Sequence, residues 1–254
     1  MSRDSFVHLH LHTEYSLLDG SIRMKELMKK AAEFKMPAVA ITDHGNLFGA
    51  IEFYQEAQRA GVKPIIGCEV YVAPGSHKDR PPSRRESAYH FTLLAENETG
   101  YRNLVKLVTA GHLDGFHYAP RIDKEMLAAR SAGLIGLSGC LAGEINSAIQ
   151  SNNIEKAKQS AAEYRDILGA ENFFLELHDH GMEEQKKCNA ALVHMARDLA
   201  VGLVAANDVH FLRRSDHEAH DVMLCIGTGK MVEDESRMHY LPELYFKSPD
   251  EMRQ

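Results

Sequence analysis

The sequence predicts an α/β protein, a parallel sheet with crossover helices, and three observations lead there. Short apolar runs alternate with segments of helical period. The runs are near-continuously apolar, as strands covered on both faces are. The alternation repeats about seven times between residues 6 and 206, which suits a closed or nearly closed β/α barrel. An open doubly wound sheet has the same periodicity, because periodicity does not report closure.

The strand-like runs are 6–10, 38–42, 64–72, 90–95, 134–138, 173–177 and 203–206. Helical stripes lie between them. In 23–34, Met24, Leu27, Met28, Ala31 and Phe34 share a face. Over 154–168 the shared face holds Ile154, Ala157, Ala161 and Leu168; over 182–200 it holds Cys188, Leu192, Met195 and Leu199. Such stripes face a core. A further helix is expected at 215–226, with Gly227-Thr228-Gly229-Lys230 as the turn after it. The loop SHKDRPPSRRE at 76–86 is the one strongly Pro/Arg-rich stretch. It reads as a mobile loop inside a single domain spanning 1–254, because strand-like sequence resumes at once.

Composition narrows the class. The 254 residues carry 29 Lys and Arg against 36 Asp and Glu, a net charge of −7, with 44% hydrophobic and 26% charged residues. That suits a sizeable core and excludes a disordered chain. No apolar run approaches the roughly 18 residues of a membrane span, and residues 1–5 contain no signal-peptide core. Cys68, Cys140, Cys188 and Cys225 form no CxxC pair and no disulfide framework. A cytoplasmic protein with no membrane partner is the expectation. Absence of GxSxG, GxxxxGK[ST] and GxGxxG argues against a serine triad and against nucleotide binding through a Gly loop.

Histidine is out of line: 15 residues, against 10 Phe and 9 Tyr. Their positions carry the information. The first strand runs into His10-Leu11-His12 and then Asp19-Gly20, and the second into Thr42-Asp43-His44-Gly45. The third contains Gly67-Cys68-Glu69, and the fifth ends Ser138-Gly139-Cys140. The sixth runs into Glu176-Leu177-His178-Asp179-His180, and the seventh into Asn207-Asp208-Val209-His210. Loops after strand C-termini build active sites in α/β folds. In extended chain, residues i and i+2 share a side, so His10 and His12 can grip one site, as can Asp208 and His210. Imidazole, carboxylate and thiolate suit Zn²⁺ or Mn²⁺. Two or three ions, roughly 3.5–4 Å apart and shared by bridging carboxylates, is the arrangement that cleaves phosphoesters.

Each residue alone has a plainer reading. Strand histidines often only hydrogen-bond, Cys140 could be a buried small hydrophobe, and Asp19, Asp43 and Asp179 could cap helices or turns. His8 sits deeper in its strand and is set aside. His77, His112, His117, His194 and His239 lie in loops or helices and receive no role. Packing alone does not explain ligand-type residues at five or six successive strand ends.

The motifs are HLHTEYS at 10–16, LDG at 18–20, TDHGNLFG at 42–49, KPIIGCE at 63–69, TGYRNL at 99–104, LSGC at 137–140, NDVH at 207–210 and YFKSPDEM at 245–252. Together they resemble the polymerase and histidinol phosphatase (PHP) family, and within it the domain found at the N-terminus of bacterial replicative DNA polymerase subunits. The resemblance spans essentially the whole chain. It implies a distorted seven-stranded (β/α)7, TIM-like barrel with a metal site at the C-terminal ends of the strands. It also implies a nine-ligand centre for two to three divalent ions, Zn²⁺ and/or Mn²⁺ with Mg²⁺ as a third candidate. Carried over, the ligands are His10, His12, Asp19, His44, Glu69, His90, Cys140, Asp208 and His210. The resemblance alone supplies His90, which opens its strand. All nine positions carry ligand-type residues, unlike relatives in which several are lost and the domain is taken as structural.

The expected activity is metal-dependent phosphodiester hydrolysis, a 3′→5′ exonuclease serving proofreading. Asp208 and Glu69 are the expected bridging carboxylates and His180 the candidate acid for the leaving group. The implied partners are a single-stranded or primer 3′ end of DNA, and the remaining polymerase domains and replisome subunits of a longer protein. The palm, thumb and fingers are absent, so this chain is not expected to polymerise. Lys78, Arg80, Arg84 and Arg85 would offset the acidic net charge with a basic rim. Two alternatives stand beside this: a non-catalytic module stapled by metal, and a phosphomonoesterase of the histidinol-phosphate type.

Overall fold

The computed structural model describes residues 5–254; residues 1–4 and the Arg85 side chain lie outside the described part, and with them the readings placed there. The strands are β1 (Ala38–Ile41), β2 (Lys63–Val72), β3 (Tyr89–Ala95), β4 (Arg121–Ile122), β5 (Leu134–Leu137), β6 (Phe173–Leu177) and β7 (Gly202–Ala205). The helices are α1 (Met24–Glu33), α2 (Ala50–Ala60), α3 (Arg84–Ser87), α4 (Glu98–Leu113), α5 (Lys124–Ala128), α6 (Glu144–Gln150), α7 (Ile154–Leu168), α8 (Glu183–Leu199), α9 (His217–Thr228) and α10 (Pro249–Arg253). This is the α/β alternation expected from the sequence. The chain forms two compact units, one made of the residues up to Asp43 with Phe48–Ile66 and Asn207–Gln254, the other of His44–Leu47 and Gly67–Ala206.

In the first unit β1 pairs in parallel with the opening half of β2, Ala38 opposite Lys63 and Ile41 opposite Ile66. Helices α1 and α2 cover this pair. The stripe Met24, Leu27, Met28 and Ala31 packs with Phe53, Val39, Ile41 and Leu11 in a fully buried core. The expected first strand at 6–10 is not a regular strand. Its neighbour Leu11 gives its backbone N–H to the Thr42 hydroxyl at 2.8 Å, so no regular ladder forms. What remains is extended chain, held by His8 O to Ala40 N and by a lone bridge from Leu11 to Val209.

The second unit departs from an all-parallel sheet. β3 runs antiparallel to β2 and to β5, while β5–β6 and β6–β7 are parallel. The reason is local. A parallel pair is usually joined by a crossover helix, and the 73–88 link between β2 and β3 holds only the four-residue α3. β4, two residues long and unforeseen in the sequence, pairs in parallel with the end of β2. The core joins Phe91, Leu93, Leu104, Leu107, Tyr164, Phe173, Leu175 and the buried α8 stripe. Side-chain caps set several helix starts: Asn97 accepts from Gly100 N before α4, and Asn153 from Lys156 N before α7. Gly229, in the left-handed region, closes α9. The turn expected from residue 227 therefore begins only after Thr228.

Gly100 has a packing reason. A Cβ there would lie 1.7 Å from the Gly133 carbonyl oxygen, and backbone cannot yield that distance cheaply. Gly100→Ala is expected to cost about 3 kcal/mol, the upper end for overpacking, and to show as a lower urea midpoint with unchanged m-value.

The loop at 76–86 is tethered. Arg121, fully buried, donates to the carbonyls of His77 and Asp79 within it and of Ser87 and Gly115 beside it. His117 bonds to Pro81 O and Tyr118 to Pro82 O. Asp123 caps α5 through Met126 N and also receives the backbone N–H and ring of His77. Burial pushes the Asp123 carboxyl up, but the His77 bonds and the Met126 N–H hold it below its usual 3.8. A depressed carboxylate contributes stability above its unfolded value and loses it as pH falls through the lower folded one. Asp123→Asn should therefore be less stable than wild type at neutral pH, with the gap closing below about 3.8. Urea melts across pH 2–7 read this directly.

Candidate metal centre

In the first unit, the extended HLH segment sends Leu11 into the core and both histidines to the opposite side, all three fully buried. His10 Nε2 and His12 Nε2 each lie 3.3 Å from Asp208 Oδ1. Donor atoms of these three residues all fall within 4.8 Å of one another. His210 stacks on His12 with ring centroids 4.3 Å apart, its Nδ1 3.6 Å from Asp208 Oδ1.

Neighbouring bonds set the tautomers. His210 Nδ1 lies 2.7 Å from the Asp208 carbonyl, which can only accept, so Nδ1 carries a proton and Nε2 is the atom left to face a metal. His12 Nδ1 contacts Ser16 Oγ at 3.0 Å, and Ser16 Oγ donates to Asp43 Oδ1 at 2.8 Å. The hydroxyl proton being used there, His12 also donates from Nδ1 and presents Nε2. Second partners of this kind orient metal-ligating histidines. Asp43, buried and holding Thr13 N, Thr13 Oγ1 and Ser16 Oγ, is thus a brace behind the site and not a helix cap.

Burial alone would raise the Asp208 pKa, but the His10 and His210 charges and contacts with His12 hold it well below the carboxylate range. Asp208 also has φ +46°, a conformation Asp tolerates better than most side chains. Strain of this kind concentrates at functional sites. Asp19 stands differently: its Oδ2 accepts from Tyr240 OH at 3.2 Å and its carbonyl from His220 Nε2 at 2.6 Å. Among the described residues it joins no group of three close donors.

In the second unit, Glu69 is the hub. Its carboxylate is 2.7 Å from His44 Nδ1 and 2.9 Å from His90 Nδ1, and all three donors fall within one 4.8 Å group. Cys140 Sγ lies 3.9 Å from Glu69 Oε1 and 3.8 Å from His90 Nδ1. The antiparallel β3 accounts for His90. Reversing that strand puts its first residues beside the last residues of β2, His90 opposite Tyr71, at the edge where Gly139 and Cys140 follow β5. A histidine opening its strand therefore reaches the same edge as residues closing theirs.

The Cys140 turn is built to approach closely. Gly139 has φ +80°, and a Cβ there would meet the His90 carbonyl oxygen at 2.7 Å. Glu176 Oε2 accepts Gly139 N at 3.0 Å, and Asn146 Nδ2 donates to Cys140 O at 3.0 Å. Glu176 also holds His178 at 2.8 Å, both buried. Sequence reading gave Glu176 no role, although a single charge inside the run FFLEL was a visible signal. His180, the candidate acid, is buried and not a solvated histidine. Gln185 accepts the His180 backbone N–H through Oε1 and so donates through Nε2 to Nδ1, leaving the His180 proton on Nε2.

Other histidines have structural work. His8 packs on Phe246 and donates to Lys247 O, and burial pulls its pKa down to about 4. His112 bonds to Gly45 O, and His77 to Asp123.

An α/β chain that gathers imidazoles, carboxylates and a thiol in this way has the donor chemistry of a divalent-metal protein. The family model for the PHP domain matches residues 8–180, and the chain belongs to that family. Its curated relatives include DNA polymerase III subunit alpha of Treponema pallidum, 44% identical over 100% of this chain and 22% of the relative. The same subunit in Borreliella burgdorferi is 46% identical over 98% of this chain and 22% of the relative, and in Thermus aquaticus 45% over 99% and 21%. The chain thus spans about a fifth of the length of these relatives. Among solved structures, a candidate metal-dependent phosphoesterase from Bifidobacterium adolescentis shares the fold, with TM-score 0.51 and 14% identity over 81% of this chain and 88% of that one. No helix among the described residues is long and apolar enough to cross a membrane.

Proposed function

We propose that this chain is a metal-dependent phosphodiesterase acting on DNA 3′ ends, a 3′→5′ proofreading exonuclease working as the PHP domain of a replicative polymerase subunit. The observation that carries the reading is the pair of donor clusters, each tightly grouped and each braced from behind. His10, His12, Asp208 and His210 would hold metal in the first unit, and His44, Glu69, His90 and Cys140 in the second. Asp19 completes the nine ligands of the resemblance. Divalent ions, Zn²⁺ and/or Mn²⁺ or else Mg²⁺, would lower the pKa of water and offset charge on the phosphoryl group.

The chain's own residues supply the rest. Ser16 and Asp43 keep His12 in its ligand tautomer, and the Asp208 carbonyl does the same for His210. Asp208 and Glu69 each bring two oxygens and thus the means to bridge. His180, with its proton on Nε2, is the hydrogen-bond donor we assign to the departing 3′ oxygen of the penultimate nucleotide, whose proton comes from solvent. The partners are a DNA 3′ end, the other polymerase domains and the replisome; the compartment is the cytoplasm.

A second reading has its own support. His10, His12 and Asp208 come from opposite ends of the chain, so metal at this cluster would staple distant segments without any catalysis. Metal content and digestion of 3′-labelled single-stranded DNA separate the two readings. Catalysis predicts bound divalent metal, 3′→5′ shortening by wild type and loss of shortening in Glu69→Gln with the fold retained. Metal present with no cleavage by wild type, and a melting temperature that falls on chelation, would establish the staple instead.

A further inference from the structure

A cavity of about 660 Å³ opens in the second unit, lined by Tyr71, Arg84, Glu86, Tyr89, His90 and Gln150 among others. Its size lies within the range of small-molecule sites. We propose that it seats a nucleoside 5′-monophosphate, the terminal nucleotide before or after release; this assignment rests on the phosphodiesterase reading above.

The lining supplies each part of such a ligand. His90 belongs to the Glu69 cluster, so the cavity adjoins that cluster. Tyr71 stands edge-on to His90 with ring centroids 5.2 Å apart. A Cβ at Gly45 would lie 3.0 Å from Tyr71 Cε2, so the ring lies close to that glycine's backbone. Aromatic rings provide a stacking surface for any base. Tyr89 adds a second ring at the wall.

Arg84 supplies the charge. Its side chain is exposed, and among the described residues it pairs with no carboxylate, unlike Arg102, Arg165, Arg214 and Arg237. A guanidinium fork matches phosphate oxygens in pairs. Ser87 Oγ bonds to Arg84 O at 2.7 Å and Ser83 Oγ caps Glu86 N at 3.3 Å, so the turn bearing Arg84 is ordered. Glu86, also in the lining, can accept from a sugar hydroxyl or a base amine and repels additional phosphates. A monophosphate is therefore favoured over a triphosphate.

Calorimetric titration of the protein with dAMP, dATP and deoxyadenosine tests this. Saturable dAMP binding is expected, tighter than dATP. Arg84→Ala should weaken dAMP at least tenfold while leaving deoxyadenosine unchanged, and Tyr89→Ala should weaken both. Arg84→Lys, which keeps the charge and loses the fork, should fall between. No saturable dAMP binding, or Arg84→Ala binding dAMP as wild type does, overturns the assignment. DNA cleavage by wild type alongside an unaltered Arg84→Ala isotherm would sink this assignment alone. Tight dAMP binding without DNA cleavage would sink the phosphodiesterase reading and leave the nucleotide site standing.

Discussion

Asp208→Asn is expected to lower DNA cleavage at least about 100-fold, since even outer partners of metal ligands are worth 10–100-fold and Asp208 is proposed as a ligand itself. The substitution isolates charge. Asn has the same size and also accepts the positive φ that Asp208 adopts, so the backbone at +46° need not move. What disappears is the anionic oxygen that His10 and His12 both face at 3.3 Å. Metal analysis should show a lower divalent content, with circular dichroism unchanged. Cleavage and metal content equal to wild type would remove Asp208 from the centre.

Arg121→Met should give the largest loss of stability, about 3–5 kcal/mol, because four carbonyls lose their donor at about 1–3 kcal/mol for each one left unmet. Arg121 is fully buried, and its acceptors are four carbonyls and no carboxylate. Burial, then repulsion from Arg80, lowers its pKa, so the charge is costly to bury. Methionine removes that cost but leaves the carbonyls of His77, Asp79, Ser87 and Gly115 without their donor, and an unmet buried polar group costs about 1–3 kcal/mol. Urea unfolding measures the total. Trypsin adds a local readout, because loosening this loop should speed cleavage after Lys78 and Arg84. Because Arg84 lies at the end of the tethered segment, dAMP binding should weaken as well. A variant as stable as wild type would show that the four bonds contribute nothing net.

Much of the fold could be read from the chain. The α7 stripe runs over Ile154–Leu168 as its apolar spacing indicates, and six of the seven strand-like runs become strands with ends shifted by a residue or two. The run at 6–10 did not, because a side-chain hydroxyl at Thr42 took a bond that a regular ladder needs. No apolar pattern reveals such a substitution. Strand direction was also hidden. An apolar run reads alike in either sense, so β3 was placed parallel, and His90 looked like an exception until the reversed strand put it opposite Tyr71.

The site divides in the same way. Which residues carry ligand chemistry is written in the chain, since HLH and NDVH alternate along extended backbone and period two fixes a shared side. The supporting residues are not. Asp43 could pass for a cap, and nothing in the chain shows what holds Glu176 or His180; each role depends on the partner the fold supplies, Ser16, Gly139 and Gln185 respectively. Sequence determined the α/β alternation and which strand ends carry ligand-type side chains, because both depend on residue type and short-range period. Tertiary structure decided strand sense, histidine tautomer and the depth of each charge, because those depend on which hydrogen-bond partner the folded chain brings within 3 Å or so.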